Sequence, residues 1–280
     1  MNASVLRRRW QWIVLSLVVL ASRLYLLRIY DVELSQDGFE AVRTLTILQT
    51  QGLDAIPRDL LDRFILHPLY MLLLLLWRIA IPAPVDFYLA ARFLSTLLAC
   101  VAVILMFEFT RRAFGEIAAW VAALLLAFAP SFLWESVTIL SSTLFLALYL
   151  AVLLALVQSR FRLAALLAYL AAITRYEGIV LVALVFLALW RPKGLGSSAG
   201  AGKPFGSRPL AEWLTAVAFA LAFPLTLMAT GWLAAGNALE FLGAQSMAGI
   251  WLRFLAPGDL LFISACSERQ SRSFVAGRAL

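Results

Sequence analysis

Long apolar runs alternate with short polar segments along almost the whole chain. The first run extends from Trp10 to about Leu27 and follows the basic cluster Arg7–Arg9. Several runs approach the roughly 20 residues that an α-helix needs to cross about 30 Å of hydrocarbon. The pattern therefore predicts an all-α, polytopic membrane helical bundle that forms a single domain over residues 1–263. The further runs cover about 65–81, 87–109, 117–132, 139–157, 163–173, 179–190 and 213–233.

Composition supports a lipid environment. Of the 280 residues, 63% are hydrophobic and only 14% are charged, whereas soluble domains are about half apolar and a quarter charged. The net charge is +7, but Lys and Arg stand in short clusters beside the apolar runs instead of forming one basic face. We therefore expect a lipid bilayer and no nucleic acid as a partner. Two cysteines are too few for a disulfide framework or a zinc site.

The basic clusters predict the topology, because loops between spans alternate between the two sides of a membrane and Lys and Arg are enriched on the cytoplasmic side. If residues 65–81 crossed the membrane, the clusters around Arg111, Arg160 and Arg191 would all lie outside. If that run instead forms an interfacial or re-entrant helix, every cluster lies inside with the N-terminus. The second arrangement predicts seven spans and a cytoplasmic N-terminus. It also gives a first outer loop over 30–86, a cytoplasmic linker over 191–210 and a disordered polar tail over 264–280.

The runs 163–173 and 179–190 are short for full crossings. One long span through both would bury the charges of Arg175 and Glu177 at its centre. A shallow hairpin with an outward-facing tip is the preferred interpretation.

Asp37 is the first candidate for chemistry. The segment 37–49 has an amphipathic helical pattern, in which Ala41, Val42 and Leu45 form an apolar face that we expect to lie on the bilayer. This places a carboxylate at a helix N-terminus near the membrane surface. The alternative is that Asp37 caps the helix in a solvated loop.

Two basic side chains are candidates for binding an anionic lipid. His67 precedes Pro68 at the start of the interfacial helix, where a phosphate is readily bound, or it is only a polar residue before the first helical turn. Arg23 lies inside the first span and faces either a lipid phosphate within the bundle or, by snorkelling, the outer head groups. For Arg28, near the end of that run, snorkelling is favoured.

Four further residues are candidates for substrate binding. Glu40 follows Asp37 on the same segment. Glu135 and Ser142 flank the predicted outer loop between the third and fourth spans. Arg175 is more simply paired with Glu177 than with substrate.

Six motifs follow one another along the chain: Asp37 on its helix, His67-Pro68-x-x-Tyr70, Leu89-Ala-Ala-Arg92-Phe-Leu-Ser, Arg111-Arg-Ala-Phe-Gly115, Ala129-Pro130-Ser-Phe-Leu-Trp and Ala172-Ile-Thr174-Arg175-Tyr-Glu177-Gly178. Their order resembles that in the lipid-linked-sugar glycosyltransferases of the GT-C superfamily, near the protein O-mannosyltransferases and aminoarabinose transferases. The resemblance covers about residues 10–190 and implies an inverting transferase in a bacterial or archaeal cytoplasmic membrane. The implied reaction moves a sugar from a polyprenyl-phosphate donor to a hydroxyl of a glycan, lipid or protein acceptor at the outer face. Asp37 matches the family's catalytic Asp, and His67 matches the residue that contacts the donor phosphate.

The chain departs from the family pattern at two positions. Gly38 stands where a second acid usually follows the Asp, and Ser142 stands where the fourth span usually begins with an acid. A metal-binding carboxylate pair is therefore not evident, and either Glu135 substitutes for the missing acid or the site works with one acid. No cofactor is evident, and a divalent metal stays an open alternative that no carboxylate pair supports. Relatives continue through more spans, so the resemblance implies a truncated C-terminus. The alternative function is a non-catalytic scaffold or a transporter-like protein derived from the same fold, for which Pro224 in the last run suggests a helix break.

Overall fold

The computed structural model describes residues 3–30, 35–52, 67–81, 86–190 and 210–235. Within these ranges all regular structure is helical, which confirms the predicted all-α class there. Residues 191–209 of the predicted linker and the predicted tail 264–280 lie outside the described residues. In chain order the helices are α1 Ala3–Ile29, α2 Gln36–Gln51, α3 Pro68–Ala80, α4 Phe87–Phe114, α5 Glu116–Phe128, α6 Pro130–Glu135, α7 Ser141–Val157, α8 Phe161–Thr174, a 3-10 helix Tyr176–Gly178, α9 Ile179–Trp190 and α10 Leu210–Ala235.

Two helices of the described residues are long and apolar enough to cross a membrane, namely Trp10–Ile29 of α1 and the whole of α4. The helix α4 continues beyond the predicted end of its apolar run and takes in Arg111 and Arg112. These cations favour the last turn because the carbonyl end of a helix carries partial negative charge. Gly115 then ends α4 with a φ of 97°, a conformation in which glycine avoids the steric cost of a side chain.

Hydrogen bonds at both ends show that α1 runs antiparallel to α4. Trp12 Nε1 donates to Glu108 Oε1 at 3.0 Å, and Arg92 Nη2 donates to the carbonyl of Tyr30 at 2.7 Å. One end of the bundle therefore contains Trp12, Glu108 and the Gly115 turn, and the other contains Tyr30 and the turn at Ser136. We refer to them as the Gly115 end and the Ser136 end.

The apolar run 117–132 is not one helix. It breaks at Ala129, which has an extended conformation (φ −58°, ψ 127°), and a second helix begins at Pro130. The run that counts as one predicted span is interrupted because proline lacks an N–H and disfavours the helical conformation at the residue before it. By contrast, α10 passes through Pro224 as one helix, so the predicted break there is not seen.

The apolar face of α2 is buried in the protein. Ala41, Val42 and Leu45 are each at most 4% exposed and pack in one cluster with Tyr70 and Met71 of α3. The expectation that this face lies on the bilayer was therefore wrong. Since α3 and α4 supply an apolar surface of their own, the same stripe packs against protein.

The hairpin predicted from the short runs is present as α8 and α9 joined by the 3-10 helix. The two helices have 14 and 12 residues, so each is about 20 Å long and shorter than the hydrocarbon layer. They pack together through Ala168 and Ala171 of α8 and Leu181 and Val185 of α9. The turn between them lies at the Ser136 end. Thr174, just before this turn, contacts His67, and His67 borders the same cavity as Ser141 near Ser136.

Candidate functional site

Asp37 lies in the first turn of α2. The N-cap of this helix is Ser35, whose Oγ accepts the backbone N–H of Gly38 at 2.9 Å. The alternative that Asp37 caps the helix is therefore wrong. The Asp37 side chain is exposed, and its position suits a carboxylate because the N-terminal turn carries partial positive charge. The structure thus places this carboxylate in the first turn of α2, two residues after the cap that Ser35 provides.

His67 connects two helices. It occupies the N-cap position of α3, with Pro68 next, but its side chain does not cap the helix. Instead Nδ1 lies 2.8 Å from the carbonyl oxygen of Thr174 at the end of α8. A carbonyl only accepts hydrogen bonds, so Nδ1 carries the proton. In the neutral ring Nε2 is then the acceptor, and in the charged ring it is a second donor.

Asp37 and His67 line one small cavity at the Ser136 end. Its volume is about 20 Å³, room for roughly one water molecule. Ser141, the first residue of α7, lies on the third side. The N-cap position of α7 is Leu140, which provides no side-chain hydrogen bond. The cavity therefore combines a carboxylate, an imidazole and a helix N-terminus whose side-chain cap is missing. The remaining lining residues are Ala41, Tyr70, Met71, Ile139 and Leu140.

Ser142 is next to this cavity but does not line it. Its Oγ atom is buried and makes no hydrogen bond within the described structure. Most buried polar atoms in native proteins have a partner, so this hydroxyl is an exception. It stands where the resemblance places an acid.

Arg175 forms an ion pair with Glu177 on the hairpin turn, with 2.8 Å between Nη2 and Oε1. The hydrogen bond to Glu177 raises the pKa of Arg175; burial opposes the rise, and the charges of Glu177 and Glu135 add to it. Burial by itself raises the pKa of Glu177, but the hydrogen bonds and the charge of Arg175 outweigh it, so that pKa lies below its ordinary value. Arg175 is thus tied to Glu177, as the simpler interpretation predicted.

Glu40 and Glu135 do not line the cavity. Glu40 is half-buried one turn after Asp37 on α2. Glu135 ends α6, and its backbone carbonyl accepts a hydrogen bond from Thr143 Oγ1 at 3.1 Å. Its carboxylate is close enough to Arg175 to affect the pKa of that side chain. Both remain predicted substrate contacts, to the side of the cavity.

Arg23 lies elsewhere, inside the bundle. It is 0% exposed and donates to Ser22 Oγ at 2.8 Å, to Ser136 Oγ at 3.0 Å and to the carbonyl of Ala127. The snorkelling alternative is therefore wrong. The carbonyl of Ala127 is accessible to Arg23 because the helix breaks at Ala129, before residue 131 could donate to it. Arg23 thus joins α1 to both sides of this break.

Comparisons with protein-family models, with curated proteins and with solved structures found no significant match. The resemblance to the GT-C glycosyltransferases therefore stays a prediction.

Several features of the site were not predicted, including the contact that holds His67 and some of the residues that line the cavity. The backbone carbonyl of Thr174 leaves no side-chain signal in the sequence. Tyr70 and Met71 have the helical spacing of buried residues, and the pattern does not indicate that they border a polar cavity. Within the described ranges no group of three or more His, Cys, Asp or Glu side chains is arranged to hold a metal ion.

Proposed function

We propose that this chain is a polytopic membrane glycosyltransferase that moves a sugar from a polyprenyl-phosphate donor to an acceptor hydroxyl at the outer face of the membrane. The observation that carries the proposal is the shared cavity of Asp37 and His67. These two side chains are the general base and the phosphate ligand that the reaction needs. The acceptor is a glycan, a lipid or a protein that presents a hydroxyl.

The reaction assigns one role to each side chain. Asp37 takes the proton of the acceptor hydroxyl as its oxygen attacks the anomeric carbon. The bond between that carbon and the phosphate oxygen breaks, and the lipid phosphate leaves with the electron pair. Protonated His67 donates from Nε2 to this phosphate while Nδ1 stays bonded to Thr174. The N-terminus of α7 adds partial positive charge on the same side.

The arrangement of charges along the bundle supports the proposed topology. Asp37, His67 and Arg175 are at the Ser136 end. Arg111 and Arg112 are at the Gly115 end, and so is Arg160, because α7 starts at the Ser136 end and leads away from it for about 25 Å. Under the positive-inside rule this supports an N-terminus in the cytoplasm and a site at the outer face.

The cavity of about 20 Å³ is too small to hold a sugar. Sites that bind small molecules usually have volumes of about 300–1,000 Å³. Donor binding therefore requires α2 and α3 to separate from the start of α7. Closure over the bound sugar then excludes water, which would otherwise compete with the acceptor.

A transfer assay tests the proposal. The full-length protein is purified with lipid, supplied with radiolabelled polyprenyl-phosphate sugars and membrane-derived acceptors, and compared with Asp37→Asn. Loss of the base is expected to slow transfer by about 10² to 10⁴. The control is Asp86→Asn, which removes a carboxylate at the start of α4 outside the cavity. Comparable transfer by Asp37→Asn and Asp86→Asn would refute the role of Asp37.

The second candidate is a non-catalytic membrane scaffold on the same fold. The observation that favours it is Ser142: its hydroxyl makes no hydrogen bond within the described residues, and it stands where the resemblance implies an acid. A scaffold binds the lipid-linked sugar without consuming it. Donor binding with no transfer by the wild-type protein, across a panel of sugars and acceptors, would select this candidate.

A further inference from the structure

A second, larger groove lies between α1, α3 and α4. Its volume is about 650 Å³, in the usual range of ligand sites. Leu24 and Leu27 of α1, Trp77 of α3 and Leu89 and Phe93 of α4 supply apolar walls. The polar side chain at its edge is Arg28, in the last turn of α1.

The groove is distinct from the cavity of Asp37 and His67. His67 begins α3, whereas Trp77 and Ile81 line the groove at the opposite end of that helix. A helix rises about 1.5 Å per residue, so the groove lies about 15 to 20 Å from His67 along α3. Neither Asp37 nor His67 lines the groove.

One wall of the groove is held in place by a hydrogen bond. Trp77 Nε1 donates to the carbonyl of Ala90 at 2.8 Å, which joins the end of α3 to the first turns of α4. By contrast, Leu24 and Leu89 are 45% and 51% exposed along the opening. The groove is therefore open along its apolar side, at Leu24 and Leu89, and its inner wall is formed by the hydrogen-bonded Trp77.

The two ends of the groove differ, because Arg28 places a positive charge at one of them. Arg28 is exposed and makes no hydrogen bond or ion pair with the described residues. Since α1 and α4 are antiparallel, Arg28 lies near the start of α4, whereas Leu24 and Phe93 lie deeper along the bundle. A ligand that fits has one anionic group at the end of a span and a hydrocarbon chain that extends along it.

We propose that this groove binds one anionic phospholipid, with an acyl chain along Leu24 and Phe93 and the phosphate on Arg28. The charge of Arg28 selects an anionic head group, and the hydrocarbon walls select a chain. This inference depends on α1 and α4 being able to span a membrane and is independent of the proposed transfer reaction. The lipid holds α1, the end of α3 and the start of α4 together.

Native mass spectrometry of the purified full-length protein tests the site. The detergent-solubilised protein is titrated with phosphatidylglycerol, phosphatidylcholine and a polyprenyl phosphate. One favourable charge contact near a membrane surface corresponds to about a fivefold preference for phosphatidylglycerol over phosphatidylcholine. Equal binding of these two phospholipids would overturn the proposal. Stronger binding of polyprenyl phosphate than of phosphatidylglycerol would assign the groove to a carrier lipid and also overturn it.

Two variants separate the head group from the chain. Arg28→Gln is expected to lose the preference for phosphatidylglycerol and to keep residual binding of both phospholipids. Leu24→Trp fills the opening and is expected to weaken both. The control Arg162→Gln removes an exposed cation on α8, away from the groove. Melting in lipid-free detergent checks that each variant is folded, and an unchanged preference in folded Arg28→Gln would contradict the site.

Discussion

The imidazole of His67 and the backbone carbonyl of Thr174, 107 residues apart, are joined by a hydrogen bond of 2.8 Å. This bond connects the N-cap residue of α3 to the last residue of α8. It fixes the ring on the wall of the cavity and links α3 to the hairpin turn. Any motion of α3 away from α8 breaks it.

Asparagine and glutamine at position 67 test the two nitrogens separately. The Asn amide reproduces the position of Nδ1, and the Gln amide reproduces that of Nε2. His67→Asn is expected to retain the stability of the wild type but lose transfer, whereas His67→Gln should unfold about 1 kcal/mol more easily and keep more transfer. Thermal melting and the transfer assay measure the two effects. The opposite pattern would show that the Thr174 contact does not orient the ring.

Replacing Arg23 tests its role in joining α1 to the helix break. Arg23→Ala removes three hydrogen bonds, leaves the Ala127 carbonyl without this donor and opens a cavity, so a loss of more than about 3 kcal/mol in unfolding free energy is expected. The matched control Arg162→Ala removes an exposed cation and should change stability by less than about 0.5 kcal/mol. Denaturant titration in detergent measures both. Equal stability of the two variants would contradict a structural role for Arg23.

The end of α7 offers a stabilising substitution. Ser159 has a φ of 57°, and the N–H groups of Ser159 and Arg160 bond back to Leu156 and Ala155 in a Schellman motif. Glycine adopts this conformation without the cost that a side chain incurs, so Ser159→Gly is expected to raise stability by about 0.5 to 1 kcal/mol. The opposite effect is expected for Ala183→Gly, at an exposed interior position of α9, which should lower stability by about 1 kcal/mol. Melting temperatures that move in the same direction would contradict this.

Gly178 is required by close packing at the hairpin turn. A Cβ there would lie 2.5 Å from the carbonyl carbon of Ala171 and 2.6 Å from Cα of Ala172. Because backbone atoms cannot rotate away, Gly178→Ala should displace the turn and cost about 1 to 3 kcal/mol. Ala183→Ser, at an exposed position of α9, is the control and should cost less than about 0.5 kcal/mol. Wild-type melting of Gly178→Ala would rule out this packing.

The Arg175–Glu177 pair predicts a pH dependence. The pKa of Glu177 is lower in the folded protein than in the unfolded chain. Its contribution to stability is therefore present above the unfolded value of about 4.3 and is lost as the pH falls through the lower folded pKa. Since the two side chains are 30% and 37% exposed, the contribution is less than about 1 kcal/mol. The melting temperature is measured as a function of pH across this range, and its dependence on pH should be weaker in Glu177→Gln than in the wild type. An unchanged dependence would contradict a contribution from this pair.

The short helices could be predicted because clear sequence signals mark where they begin and end. His67-Pro68 marks the start of α3, and the polar sequence around Arg175 separates α8 from α9. The break at Ala129 was missed although Pro130 is visible, because the continuous apolar run on both sides outweighed one proline. The sequence could not predict whether the apolar face of α2 contacts lipid or protein. Lipid hydrocarbon and the apolar side chains of a neighbouring helix are equally apolar.

The candidate cavity was predictable only in part. The resemblance selected Asp37 and His67, and the structure has both on the wall of one cavity. Arg23 was grouped with them for a different reason, namely that an arginine inside an apolar run is a candidate for binding an anionic ligand. The alternative was snorkelling, and neither interpretation included the role in joining helices that the structure shows. One partner of Arg23 is the backbone carbonyl of Ala127, which is available because the helix breaks at Ala129. The residue types in the sequence do not indicate such a carbonyl.

The partners of Arg23 also affect how the protein is made. Under the proposed topology α1 enters the membrane first, but Ala127 and Ser136 follow Arg23 in the chain by 104 and 113 residues. At about 5 to 20 residues per second, the ribosome supplies them roughly 5 to 20 seconds later. During that interval the guanidinium must be hydrated or sheltered by the insertion machinery. Retention of the first helix beside the translocon until α6 has emerged would provide that shelter.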